Sequence, residues 1–534
     1  MRIETARLAA ILGLTLIAGH PARADNPMSA IDWLSKSVAA PGTHRVQPPQ
    51  GGKIPSSVPL PSRPANEPAV TKDARPAEVT VTVLGAPTPD SVGLLPAERT
   101  GLPRDLWGLT RASDIARTIT EAEEPVLPTL QGLFSTLLLA EANPPVDSGP
   151  EGRLLLARID KLLALGALDQ ASGLIQLVRS RTPELFRRRF DIALLTGQED
   201  SACIEMQSSP HLAPTLTARV FCLARAGDWN AAALTLNTAR ALGQVEPEDE
   251  VLLTRFLDAE LADSIPSLPP PEQPTPLVWR IYEAIGEPLP TLGLPIAFAH
   301  AELRPQAGWK AQVEAAERLS RAGAITPNLL LGMYTARAPA ASGGVWDRVD
   351  LFQRFDSALA SGKPDRIARI LPDVWQAMAG AELEPPFAAL YGDRLMHVGL
   401  TGDAATLAFR IALLSPAYER AALDRAATVP QPDVQEAFLI GLARGNIKGL
   451  TPPDSMSRAI APAFLAPEIA AEPQHLLDER RFGEALLWAI ARVGRGVHGD
   501  PRGVAEGLSL LRRMGLEDTA RRTALELLLL ERRG

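Results

Sequence analysis

Large flat side chains are scarce in this chain: tryptophan, tyrosine and phenylalanine together make up 5% of its 534 residues. So small an aromatic share argues against a β-sandwich and suits aliphatic helix packing. Lysine is rarer still, at 7 against 47 arginines, and acids outnumber bases to leave a formal charge of −8. That balance offers no basic face to a nucleic acid and mainly keeps a protein soluble. After residue 24 no uninterrupted apolar run approaches the roughly 18 residues at which a membrane helix is expected. There are two cysteines and no C-x-x-C, and the seven histidines lie singly with no H-E-x-x-H, so no metal-ligand spacing is present. G-x-S-x-G, a Walker A lysine motif and the glutamate motif of a lytic transglycosylase are missing too. We therefore assign no catalytic, cofactor-binding or metal-binding residue and expect no cofactor.

What is present begins with an address. Arg2 and Arg7 precede an apolar stretch over residues 8–19, and Ala22-Arg23-Ala24 has the A-x-A form of a signal-peptidase site. Residues 1–24 thus read as a signal peptide. The richness in arginine and alanine points to a GC-rich bacterial genome, which makes the expected destination the periplasm. Export places Cys203 and Cys222, 19 positions apart on neighbouring predicted helices, in an oxidising compartment, so we expect them to form one disulfide.

Residues 25–40 hold a short amphipathic segment, DNPMSAIDWLSKSV at its core. Met28, Ile31, Leu34 and Val38 fall on one side at helical spacing, with Trp33 beside them. It is too short to be stable alone in water, so it is expected to fold only against a surface, as a partner-docking helix or folded back on its own chain. Residues 41–76 contain nine prolines, and few large apolar side chains are present to offset ordering entropy. They read as a disordered linker. Residues 77–149 read as a small strand-plus-helix region, with Val79, Val81 and Val83 alternating as a strand does and a second short strand near residues 91–95 as one partner for it.

From residue 150 onward the text is helical and punctuated. A glycine, four residues, then an alanine or aliphatic recurs at Gly166, Gly197, Gly227, Gly362, Gly402, Gly445 and Gly515, with Arg480 filling the same frame without glycine. The physical reading is a helical hairpin: glycine ends one helix in a left-handed cap and the small residue lets the next helix approach. Spacings of 30 to 43 residues between neighbouring turns indicate an α-solenoid of antiparallel hairpins. The expected blocks are 150–264 and 265–534, and the proline-rich stretches IPSLPPPEQPTP and GEPLPTLGLP between residues 265 and 295 read as a bend or seam between helical blocks.

Gly227-Asp228-Trp229-Asn230-Ala231-Ala232 and the spacing resemble tetratricopeptide-type repeats, in architecture and without a ligand rule. NPMSAIDWLS, PLVWRIYEAIGEPLPT and ARAPAASGGVWDRVD resemble a family of alphaproteobacterial exported proteins, some of them labelled antifreeze glycopeptide-related. That resemblance implies export and no mechanism. The antifreeze label finds no support in tandem Thr-Ala-Ala repeats or threonine strand arrays, neither of which is present.

Two stretches invite a functional reading. Residues 494–499 satisfy G-x-G-x-x-G, but they follow helical text where a dinucleotide site needs a strand, so an interhelical loop is expected. Residues 341–350, ASGGVWDRVD, read as a hairpin connection anchored by Trp346. The function expected from address and architecture is a non-catalytic periplasmic scaffold or adaptor of the cell envelope. It would bind an envelope protein or peptide through the solenoid surface and the N-terminal segment. The alternatives are a cell-wall-acting enzyme with a helical superstructure and a purely structural envelope component.

Overall fold

A computed structural model of the chain describes residues 88–178, 181–258 and 267–530. The signal peptide, the amphipathic segment, the proline-rich linker and the alternating valines all lie outside the described residues. Within them the fold is all-α, with twenty-five α-helices, a few 3-10 turns and no strand.

Near residues 91–95 a strand is replaced by a single parallel bridge from Leu95 to Ala140. The cause is a buried arginine. Arg158 donates to the carbonyls of Leu138, Val92 and Ala140 at 2.6, 2.7 and 3.0 Å, which removes the acceptors a second strand would use. Burial pushes this guanidinium down to about 10.

The first helices are α1 (Ala97–Thr100), α2 (Ala112–Glu121) and α3 (Pro128–Leu139). Three hairpins of one design follow: α4 (Arg153–Ala164) with α5 (Leu168–Leu177), α6 (Pro183–Thr196) with α7 (Glu199–Ser208), and α8 (Leu216–Arg225) with α9 (Trp229–Ala241). In each, the glycine between the helices has a positive φ and the second helix starts two residues later. The alanines five positions after those glycines, Ala171, Ala202 and Ala232, are fully buried, which is the close approach the frame requires.

Next come α10 (Pro247–Leu257), α11 (Pro276–Ala284), α12 (Ala299–Glu302), α13 (Trp309–Arg321) and α14 (Pro327–Thr335). Helix α11 lies between the two proline-rich stretches expected as a bend or seam. Pro276 occupies its first turn, where no amide donor is needed, and the Thr275 hydroxyl caps it by accepting from the Val278 amide at 3.1 Å. It packs on α6 and α10.

The remaining helices are α15 (Val345–Ala360), α16 (Pro364–Ala379), α17 (Glu384–Met396), α18 (Gly402–Leu413), α19 (Tyr418–Thr428), α20 (Val434–Ala443), α21 (Ser455–Leu465), α22 (Ala471–Asp478), α23 (Phe482–Val497), α24 (Pro501–Arg513) and α25 (Glu517–Leu529). Two expected turns differ in detail. Gly402 opens α18 while Gly399 takes the left-handed position after α17, and Gly445 leads into a loop before α21. Arg480 adopts φ 57° without being glycine.

The chain returns to its start. Helix α25 packs on α3, and α23 packs on both α2 and α3. One core cluster accordingly joins Leu102 to Leu195 with Phe409 to Leu525. The seam is tight: Trp107 is buried over Gly483, whose amide donates to the Leu106 carbonyl at 2.8 Å, and Thr110 donates to Glu484 at 2.8 Å.

Candidate functional site

Because the last helices meet the first, helix ends from distant parts of the chain face one another across a groove of about 320 Å³. Gln131 and Ser135 come from α3, Gln170 from α5, Ser320 and Arg321 from α13, Glu382 and Ala389 from in front of and within α17, and Arg522 and Glu526 from α25. The N-terminal turns of α3, α14 and α17 reach it through Pro128, Pro327, Pro385 and Pro386. Proline is favoured there because its fixed φ suits a first helical turn.

Its polar groups are partly committed to structure. α3 has no cap of its own, since Leu127 precedes it; Glu526 supplies one from α25, accepting from the Thr129 hydroxyl at 2.6 Å and the Thr129 amide at 3.0 Å. Arg321 donates to the Ala381 carbonyl at 3.1 Å, closing the end of α16. Glu382 follows in a left-handed backbone conformation, φ 55°, which costs a non-glycine residue about 1 kcal/mol or more. Arg522 reaches Asp518 only at 4.0 Å, and the buried Oε1 of Gln170 has no hydrogen-bond partner. The groove thus offers an arginine beside apolar proline and alanine surface.

The sequence pointed elsewhere. Met28, Ile31, Trp33, Leu34 and Val38 lie outside the described residues. Cys203 and Cys222 are joined by a disulfide with Cα atoms 5.1 Å apart, tying α7 to α8. Beside it, Arg280 of α11 and Arg225 of α8 both pair with the buried Glu199 of α7, and Arg280 and Arg304 pair with Glu283 of α11, fastening α7 and α8 to α11.

The G-x-G-x-x-G stretch is no loop: Gly494 and Gly496 are within α23, and only Gly499 lies beyond it. Of its glycines Gly496 serves helix contact with α24, as do Gly503 and Gly507 from the α24 side. A Cβ on Gly503 would come within 2.6 Å of the Arg492 carbonyl, one on Gly507 within 2.5 Å of Val493, and one on Gly496 would collide with Val504. Residues 341–350 run into α15, where Trp346 packs on Trp309 with ring centroids 4.9 Å apart. Arg348 there pairs with the buried Glu317 at 2.6 Å, and Glu317 also accepts from the Tyr334 hydroxyl at 2.6 Å.

Of the histidines, His300 sits buried with Nε2 at 2.7 Å from the Gly166 carbonyl, and burial lowers its pKa. His475 pairs with Glu479, and His211, His397 and His498 are at helix or turn ends. Among the described residues no group of three metal-ligating side chains occurs and no helix is long and apolar enough to cross a membrane.

The most perturbed carboxyl lies outside the groove, at Asp191 on α6. Burial pushes it up to about 7, against the opposing pull of Arg187 and Arg188.

No protein-family profile matches the chain, and no curated protein or solved structure matches it either.

Proposed function

We propose that this protein is a non-catalytic interaction scaffold of the bacterial cell envelope: a superhelix of antiparallel hairpins, exported to the periplasm, that holds an envelope protein or peptide in the groove between its first and last helices. The observation that carries this reading is the convergence of helix ends from α3, α5, α13, α17 and α25 on one groove, with the Arg522 guanidinium beside proline and alanine surface. A groove of that composition suits an extended peptide, whose backbone carbonyls can accept from Arg522.

The test is to fill the groove without touching the core. Ala389 is exposed and lines it, so Ala389→Trp obstructs ligand at little structural cost. In cells crosslinked before lysis, wild-type protein is expected to retain a defined envelope partner that the Ala389→Trp variant loses, with thermal stability of the two within error. Retention of the same partner by the variant would refute the groove as the binding site.

A further inference from the structure

The three hairpins of matched design allow position-by-position comparison of their outer helices. The sixth residue of the second helix is Gly173 in α5, Ile204 in α7 and Leu234 in α9. At Gly173 the outer face is covered, because a Cβ there would meet the Leu94 side chain at 3.0 Å. Leu94 belongs to the segment that leads from the N-terminus into the helices. In the next two hairpins the equivalent positions carry large aliphatic side chains that nothing covers: Ile204 is 67% and Leu234 68% exposed.

Their surroundings are also unusual for a solvated helix face. The neighbours one turn before and after are Asp200, Ser201, Gln207 and Ser208 on α7, and Asn230, Ala231, Asn237 and Thr238 on α9, with exposed Leu242 one further turn along. The one charge among them, Asp200, is paired with Arg225 at 2.6 Å. A large aliphatic repeated at the same exposed position of two successive hairpins, among otherwise uncharged neighbours, points to something that lies on it.

We propose that the cover is this chain's own segment of residues 28–38, docked within the same molecule as a short amphipathic helix across α7 and α9. The proposal stands apart from the groove and does not depend on it. Three observations choose this occupant. The same chain, from the same N-terminal side, already covers the equivalent position of the preceding hairpin through Leu94. The segment has the complementary pattern, with Met28, Ile31, Leu34 and Val38 on one side at helical spacing and Trp33 beside them. A helix of that length spans on the order of 20 Å, about two helix diameters.

Reach is no obstacle. Residues 39–87, if extended as a proline-rich chain, cover on the order of 100 Å, and tethering of this kind supplies an effective concentration near the millimolar range. A segment too short to fold alone therefore gains its docking partner without a second molecule.

The experiment places p-benzoylphenylalanine in the full chain at position 204 or 234, with position 434, exposed on α20, as control. After irradiation the adducts are separated by size and mapped by mass spectrometry. The expected result is an adduct within a single chain from 204 and from 234 to a peptide containing residues 28–38, none from 434, and loss of the adduct on Leu34→Asp. That substitution lies outside the helical body, so loss cannot come from unfolding of α7 or α9. Adducts between two chains, adducts to any other stretch, or an adduct that survives Leu34→Asp would overturn the proposal.

Discussion

Closure of the chain includes one packed contact whose energetics can be separated by a pair of substitutions. Trp107 is 4% exposed and lies against Gly483, the second residue of α23. A Cβ at Gly483 would sit within 2.7 Å of the indole Cε3, a distance that forces the ring or the helix to move. Trp107→Ala should cost about 3–5 kcal/mol by loss of a buried aromatic. Gly483→Ala is the sharper test because two effects oppose each other. Helix propensity favours alanine by up to about 1 kcal/mol. Overpacking against the indole costs about 1–3 kcal/mol. In the native background the clash wins and Gly483→Ala destabilises. In the Trp107→Ala background the ring is gone, only the propensity remains, and the same substitution stabilises.

Urea unfolding followed by circular dichroism gives the global free energies of the four proteins. Amide exchange at Gly483, whose N–H is bonded to the Leu106 carbonyl, reads the seam directly and does not require the whole chain to unfold in one step. Exchange there should quicken about tenfold for each 1.4 kcal/mol lost from the seam. An equal effect of Gly483→Ala in both backgrounds would show that Trp107 does not hold α23 against the start of the chain.

Two further outcomes follow from other parts of the fold. Replacing Cys203 and Cys222 with serine opens a loop with a sequence separation of 19 and should lower stability by about 3 kcal/mol, read as a fall in Tm that reductant also produces in the wild type and not in the variant. Asp191 binds its proton more tightly folded than unfolded, so its contribution is full below its ordinary value of 3.8 and is lost as pH rises through about 7. The wild type should therefore lose up to about 4 kcal/mol between pH 4 and 8 relative to Asp191→Asn, measured by urea titration at each pH; parallel pH profiles would exclude Asp191 as the source.

Much of the local structure is legible in the sequence, because helix caps and helix periodicity are written within four or five residues of one another. All eight turn positions of the glycine frame have φ between 57° and 83°, Arg480 included. Ala171, Ala202, Ala232, Ala485 and Ala520 are buried where that frame places a small residue against its partner helix. Proline at the start of α11 was legible in principle as well, since Thr275-Pro276 is a capped first turn and Gly286, at φ 80°, is the matching stop.

Only the tertiary structure decided what the glycines of α23 and α24 do, where the chain closes, and which residues face one groove. Gly496 spells part of a nucleotide-like pattern, yet its role is set by Val504 on the facing helix, as that of Gly507 is set by Val493. Thr129 and Glu526 are almost four hundred residues apart and meet because α25 packs on α3. No single stretch encodes that contact. The exposure of Ile204 and Leu234 is likewise a tertiary matter: at the equivalent position of α5 the covering side chain is Leu94, which comes from a segment outside the hairpins.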